Sequence, residues 1–146
     1  SQIRKKGIKL VDTIGPDLIP IRANPIRIRQ MMDNLIGNAI KYTPDEGLVN
    51  VNMFMQDNQI ILKVQDTGPG IPTEEHGHVF EKFYRATNAP EGVEGSGLGL
   101  AIVKKIMEDH GGHILFGVND DIKVIEGWED LGGANVTLVL PERKMS

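Results

Sequence analysis

From Gly92 to Gly112 the chain reads Gly-Val-Glu-Gly-Ser-Gly-Leu-Gly-Leu-Ala-Ile-Val-Lys-Lys-Ile-Met-Glu-Asp-His-Gly-Gly. A glycine-dense loop that passes directly into an amphipathic segment requires a loop-to-helix junction. Bare backbone N–H groups and the positive end of the helix dipole would face an anion there together, so a nucleotide phosphate site is expected. The helix is expected to turn Leu98, Ala101, Ile102 and Ile106 inward and Lys104, Lys105, Glu108 and Asp109 outward. Gly111-Gly112 would close it as a C-terminal cap.

Upstream, Lys9–Ile14 and Leu18–Arg22 are short β-rich runs separated by Gly15-Pro16-Asp17, which predicts a two-strand edge. Asn24-Pro25 opens a helix, with Asn24 as N-cap and Pro25 at its first position, running to about Tyr42. Ile28, Met31, Met32, Leu35 and Ala39 form its apolar stripe, and Asn34, Asn38 and Lys41 share a neighbouring strip. Two strands follow, Leu48–Met55 and Gln59–Gln65, joined by a turn at Gln56-Asp57-Asn58. In the second, Ile60, Leu62 and Val64 lead in register to Asp66, so a carboxylate is expected on the buried face at the strand's end. Pro72-Thr73-Glu74-Glu75 starts a short helix, and Ala86–Gly95 has the look of a mobile lid. Residues 113–118 and 134–140 alternate as strands, and the acidic stretch between them, with Trp128, reads as a surface loop.

A chain of 146 residues, 40% apolar and 25% charged, is expected to be one soluble globular domain. The net charge of −4 argues against a general nucleic-acid surface. The lack of cysteine excludes disulfides and thiolate metal sites. No run approaches the roughly 18 apolar residues of a membrane span. Ser1 at the start reads as the beginning of a piece of a larger parent.

Four segments then fall in a specific order: Asn34-Leu35-Ile36-Gly37-Asn38-Ala39-Ile40-Lys41-Tyr42-Thr43-Pro44, Asp66-Thr67-Gly68-Pro69-Gly70-Ile71, Phe80-Glu81-Lys82-Phe83-Tyr84-Arg85, and Gly95-Ser96-Gly97-Leu98-Gly99-Leu100. They resemble the N, G1, F and G2 boxes of the catalytic ATP-binding domain of sensor histidine kinases. The resemblance implies an α+β, two-layer α/β sandwich of the Bergerat type, shared with gyrase, heat-shock-chaperone and mismatch-repair ATPases. Its sheet would be mixed and mostly antiparallel, covered on one face by about three helices.

Carried over box by box, the resemblance implies that Asn38 holds Mg²⁺, Asn34 supports the metal shell, Lys41 contacts phosphate and Tyr42 lies over adenine. Asp66 would accept the adenine amino group, with Gly68, Gly70 and Ile71 near the base. Arg85 would reach the γ-phosphate. Gly95, Ser96, Gly97, Leu98, Gly99 and Leu100 would shape the phosphate loop, and Phe83 would belong to the ATP site, although by pattern Phe80 and Phe83 read as packing anchors. Asn34, Lys41 and Arg85 are the expected catalytic residues and ATP and Mg²⁺ the expected cofactors.

No Walker-type Gly-Lys-Ser/Thr follows a strand. Related ATPases carry a Glu where this chain has Asn34, and an amide cannot act as a general base, so slow intrinsic hydrolysis is expected. Asp33 is turned about 100° from Asn34 around a helix. His76, His78, His110 and His113 stand in solvated or capping contexts, not in a phospho-acceptor motif. The implied partners are therefore a histidine-containing dimerisation domain of the same parent and a response regulator, in two-component signal transduction. The parent would be a homodimer anchored to a membrane with this part in the cytoplasm, and the fragment alone a monomer.

Overall fold

The alternating runs Leu48–Gln56 and Gln59–Asp66 form a β-hairpin whose turn residues, Asp57 and Asn58, both take positive φ (51° and 61°). That is the two-residue turn whose twist matches paired strands. In this computed structural model, which describes residues 2–15, 18, 23–85, 87, 97–117 and 133–141, the hairpin is the centre of a five-stranded sheet. In chain order the elements are α1 (Gln2–Lys6), β1 (Lys9–Ile14), α2 (Pro25–Tyr42), β2 (Leu48–Gln56), β3 (Gln59–Asp66), a 3-10 helix (Thr73–His78), α3 (Gly99–Asp109), β4 (His113–Phe116) and β5 (Asn135–Pro141). Strand order is β1-β2-β3-β5-β4, antiparallel except that β1 pairs in parallel with β2. This is the expected mixed, mostly antiparallel sheet under helices.

The expected pairing of Lys9–Ile14 with Leu18–Arg22 falls largely outside the described residues. The partner of β1 that is described is β2, from Lys9 opposite Leu48 to Ile14 opposite Met53. Helix α1 was not foreseen. Its Lys6 ammonium donates to the carbonyls of Ile40 (3.1 Å), Lys41 (3.0 Å) and Thr43 (2.9 Å). A cation there bonds carbonyls at the end of α2 and opposes its dipole.

Helix α2 runs as expected. Asn24 Oδ1 accepts the N–H groups of Ile26 and Arg27, a cap of about 1 kcal/mol. Met31, Leu35, Ala39 and Ile40 are its buried residues. They meet Ile60, Leu62, Val64, Val136, Leu138 and Leu140 from the sheet and Val103, Ile106 and Met107 from α3 in one core, with Ile3 of α1 packed against it.

The inward face of α3 is a correction: Val103, Ile106 and Met107 are buried, while Ala101 and Ile102 are only partly so. The stripe continues one turn on to His110, because α3 packs on α2 as well as on the sheet. His110 Nε2 accepts the backbone N–H of Asn24 (3.2 Å), so Nδ1 carries the proton and donates to Ile106 O (2.8 Å). One imidazole thus ties the end of α3 to the start of α2. The capping role expected among the histidines is met here.

The opposite sheet face is not a solvated surface. Phe54, Ile61 and Val139 cluster on it, and Asn52, Lys63, Gln65, Asn135 and Thr137 are buried. No helix among the described residues is long and apolar enough to cross a membrane.

Candidate functional site

Core packing leaves a cavity of about 280 Å³ where the polar strip of α2, the end of β3, the start of α3 and the segment at Tyr84-Arg85 converge. Asn34, Asn38 and Lys41, one and two helical turns apart, line it from α2 together with Tyr42. Asp66 with Pro69, Gly70 and Ile71 lines it from the end of β3, and Gly97, Gly99 and Leu100 from the start of α3. Val64, Val79, Phe116, Ala134 and Val136 give the apolar lining.

Asp66 is 3% exposed. Its Oδ1 accepts the N–H of Gly68 (2.8 Å) and that of Ala134 (3.2 Å). Burial pushes its carboxyl above the ordinary carboxylate range, and the two N–H groups pull the other way. One oxygen is therefore committed to the backbone, and the other is the acceptor left for a ligand.

On α2, desolvation and then the nearby Arg85 guanidinium lower the pKa of Lys41, whose ammonium lies 5.7 Å from the Tyr42 ring centroid. Two cations brought together beside a half-enclosed space can hold an anion. Asn34 Nδ2 donates to Gln30 O (2.9 Å), and its Oδ1 faces Gly99, where an added methyl would lie 3.5 Å away. Asp33, exposed and on a different helical strip, also borders the cavity.

Several expected site residues lie elsewhere. Phe83 is 71% exposed, has φ +66° and borders neither the cavity nor the core, so the structure corrects both readings of it. Its backbone is what matters locally: its N–H donates to Gly97 O (2.9 Å), and a Cβ on Gly97 would lie 2.7 Å from the Phe83 Cα. Gly97, at φ +74°, thus joins the loop before α3 to the segment carrying Arg85. Leu98 precedes α3 as its N-cap and leaves the lining to Leu100. Gly68 contributes its N–H to Asp66 and does not itself line the cavity; a side chain there would strike Tyr42 O at 2.7 Å. Gly95, Ser96, most of the expected lid and the acidic stretch with Trp128 lie outside the described residues.

Three contributors went unrecognised in the sequence. Gly133 packs so closely under Asp66 that a side chain would lie 2.5 Å from its Oδ1, and Ala134 supplies the second N–H. The only available signal was Gly132-Gly133 immediately before the last alternating run. Tyr84 lines the cavity, and its hydroxyl donates to Glu75, whose carboxylate also accepts Thr87 N–H (3.1 Å) and Thr87 Oγ1–H (2.6 Å). Desolvation and then Glu75 push the Tyr84 pKa up to about 12.

A family model described as histidine kinase-, DNA gyrase B- and HSP90-like ATPase matches residues 23–144. The chain belongs to that ATPase family. Among its relatives, adaptive-response sensory kinase SasA of Gloeothece citriformis is 42% identical over 114 residues, covering 77% of this chain and 29% of that protein. Sensor protein kinase PmrB of Pseudomonas aeruginosa is 41% identical over 115 residues, 79% of this chain and 22% of PmrB. The chain thus spans less than a third of either relative.

Among solved structures, the mycobacterial sensor histidine kinase MprB superposes with a TM-score of 0.80 at 32% identity, over 99% of this chain and 90% of that one. The catalytic domain of histidine kinase ThkA gives 0.76 at 27% identity, over 98% and 86%. ThkA is also known in complex with the response regulator protein TrrA. Within the ATPase family, the similarity is therefore to the sensor histidine kinases of two-component systems, and the fold is that of their catalytic domains.

Proposed function

We propose that this chain is a single ATP-binding catalytic domain of a larger kinase, one that binds Mg²⁺-ATP and passes the γ-phosphoryl group to a histidine on a separate dimerisation domain of the same parent. The observation carrying this reading is the cavity that gathers a buried carboxylate, two carboxamides and two cations from segments far apart in sequence. With Oδ1 held by two N–H groups, the other oxygen of Asp66 accepts the adenine amino group, and a guanine keto oxygen there would be repelled. Tyr42 flanks the base. Lys41 and Arg85 hold the phosphates, and Arg85 takes up charge that develops as the γ-phosphoryl group leaves.

The histidine nitrogen forms the new bond to phosphorus as the bridging P–O bond to ADP breaks. Among the described residues no group of three His, Cys, Asp or Glu could hold a metal. Neutral amides suit a hard cation whose negative ligands are phosphate oxygens. Asn38 would therefore hold Mg²⁺, with Asn34 supporting it, and the ion when bound neutralises charge between the phosphates. With an amide at position 34, hydrolysis by water stays slow and the acceptor is a protein. The phosphohistidine then serves an aspartate of a response regulator, with the parent homodimer anchored at the cytoplasmic face of a membrane.

Incubating this chain with γ-labelled ATP and a separately made dimerisation domain should place acid-labile, base-stable phosphate on that domain. Acid-stable phosphate would instead mark a serine kinase, and no transfer a nucleotide-binding regulator. For the metal role, Asn38→Ala should weaken ATP binding in Mg²⁺ by about tenfold or more and leave binding in EDTA unchanged. Titration calorimetry showing an intact Mg²⁺ dependence would reject Asn38 as the ligand.

A further inference from the structure

The Glu75 carboxylate lies in the 3-10 helix, outside the cavity, and no box of the sequence singled it out. It accepts the Tyr84 hydroxyl, the Thr87 N–H at 3.1 Å and the Thr87 hydroxyl at 2.6 Å. These partners stand one residue before Arg85 and two residues after it. A single carboxylate therefore holds the chain on both sides of the cavity's arginine, through the Tyr84 side chain before it and through the backbone and side chain of Thr87 after it. Both ends of the clasp are needed: Tyr84 is the cavity-lining neighbour of Arg85, and Thr87 is where the chain leaves for the segment that must return to Gly97.

Charge-assisted hydrogen bonds of this kind are the stronger ones, and three on one group fix Tyr84 and Thr87 at either side of the exposed Arg85. We propose that Glu75 is a positioning residue: it holds Arg85 over the phosphate-binding part of the cavity in advance, so that the guanidinium reads the γ-phosphate without first being ordered. The gain is one of preorganisation, because a long arginine on an untethered segment would lose that freedom on every binding event. This inference rests on the ATP reading of the cavity.

The test compares Mg²⁺-ATP and Mg²⁺-ADP affinities by titration calorimetry in the wild-type chain, Arg85→Ala, Glu75→Ala, Thr87→Val and the Glu75→Ala/Arg85→Ala double variant. The wild type should prefer ATP, and Arg85→Ala should lose about tenfold of that preference, the size expected for one charged hydrogen bond. Glu75→Ala should lose about tenfold as well, with ADP affinity within about twofold of wild type. Thr87→Val, which removes one of the three bonds, should lose about threefold. In the Arg85→Ala background, Glu75→Ala should change the ATP:ADP ratio no further, the signature of two residues acting through one contact.

The proposal is overturned if Glu75→Ala keeps the wild-type ratio, if it weakens ATP and ADP equally, or if the two substitutions add. A wild type that binds both nucleotides without preference also overturns it, while leaving the nucleotide site standing. A wild type that binds neither overturns the ATP reading itself.

Discussion

Replacing Asp66 by asparagine is expected to abolish useful nucleotide affinity while making the ligand-free protein more heat-stable. The asparagine oxygen can still accept the N–H groups of Gly68 and Ala134, so the loop geometry survives. Its amide nitrogen, however, then faces the adenine amino group, and two donors meet. A loss of at least 100-fold, about 3 kcal/mol, is expected for ATP by calorimetry.

The stability gain follows from the direction of the Asp66 shift. Its carboxyl is raised from an ordinary value of 3.8 by burial, so the folded state holds its proton more tightly than the unfolded chain. Such a group contributes its full stability below 3.8 and loses it as pH rises through the raised value. At neutral pH the buried carboxylate is a cost, which asparagine removes. Each kcal/mol relieved raises the melting temperature by about 2–4 °C, and the gain should vanish in acid. The same titration weakens ATP binding to the wild type as pH falls, because a protonated acceptor is lost. A D66N protein that binds ATP within threefold of wild type would remove Asp66 from the base site.

Gly133→Ala is expected to damage both fold and site. A methyl at that position would overlap the carbonyl oxygen of Asp66, lie 2.5 Å from its Oδ1 and 2.8 Å from the amide nitrogen of Gly68. The atoms it meets include backbone on both sides, so no side chain can swing aside to admit it. Overpacking of this kind costs about 1–3 kcal/mol, and the relaxation available is to push the Asp66 turn away from Ala134. The variant should lower the denaturation midpoint and lose ATP affinity together. Gly77→Ala is the control, since nothing lies within 4 Å of a methyl there and both properties should stay unchanged. A Gly133→Ala protein with wild-type stability and affinity would show that the close packing at Asp66 is dispensable.

Local signals account for what could be read beforehand. Asn24-Pro25 announced the start of α2, the 3.6-residue period brought Asn34, Asn38 and Lys41 to one strip, and the alternation of Ile60, Leu62 and Val64 carried Asp66 to the buried face. What could not be read depends on contacts without local sequence cause. Helix α1 is a single turn and a half, too short to show a period, and it is held by Lys6 reaching the end of α2, 34 residues or more away in sequence. The parallel pairing of β1 is likewise nonlocal. Phe83 was misplaced because an aromatic in an apolar box ordinarily packs; here its backbone is drawn to positive φ beside Gly97 and its ring is turned outward. Gly133 and Ala134 act through backbone shape and one N–H, which leave almost no compositional trace.

Strand β3 lies between β2 and β5 and is buried on both faces, with Ile61 at 1% and Gln65 at 2% exposure on the side away from the helices. Its amide protons can therefore exchange with solvent only when the whole sheet comes apart, whereas Tyr84, Arg85 and Gly97 lie outside the helices and strands, where local opening suffices. Deuterium uptake should be slowest at 60–65 and faster by orders of magnitude at Tyr84, Arg85 and Thr87. The base-recognising carboxylate thus shares the lifetime of the entire fold, while the residues beside the phosphates can let go and re-form many times within it.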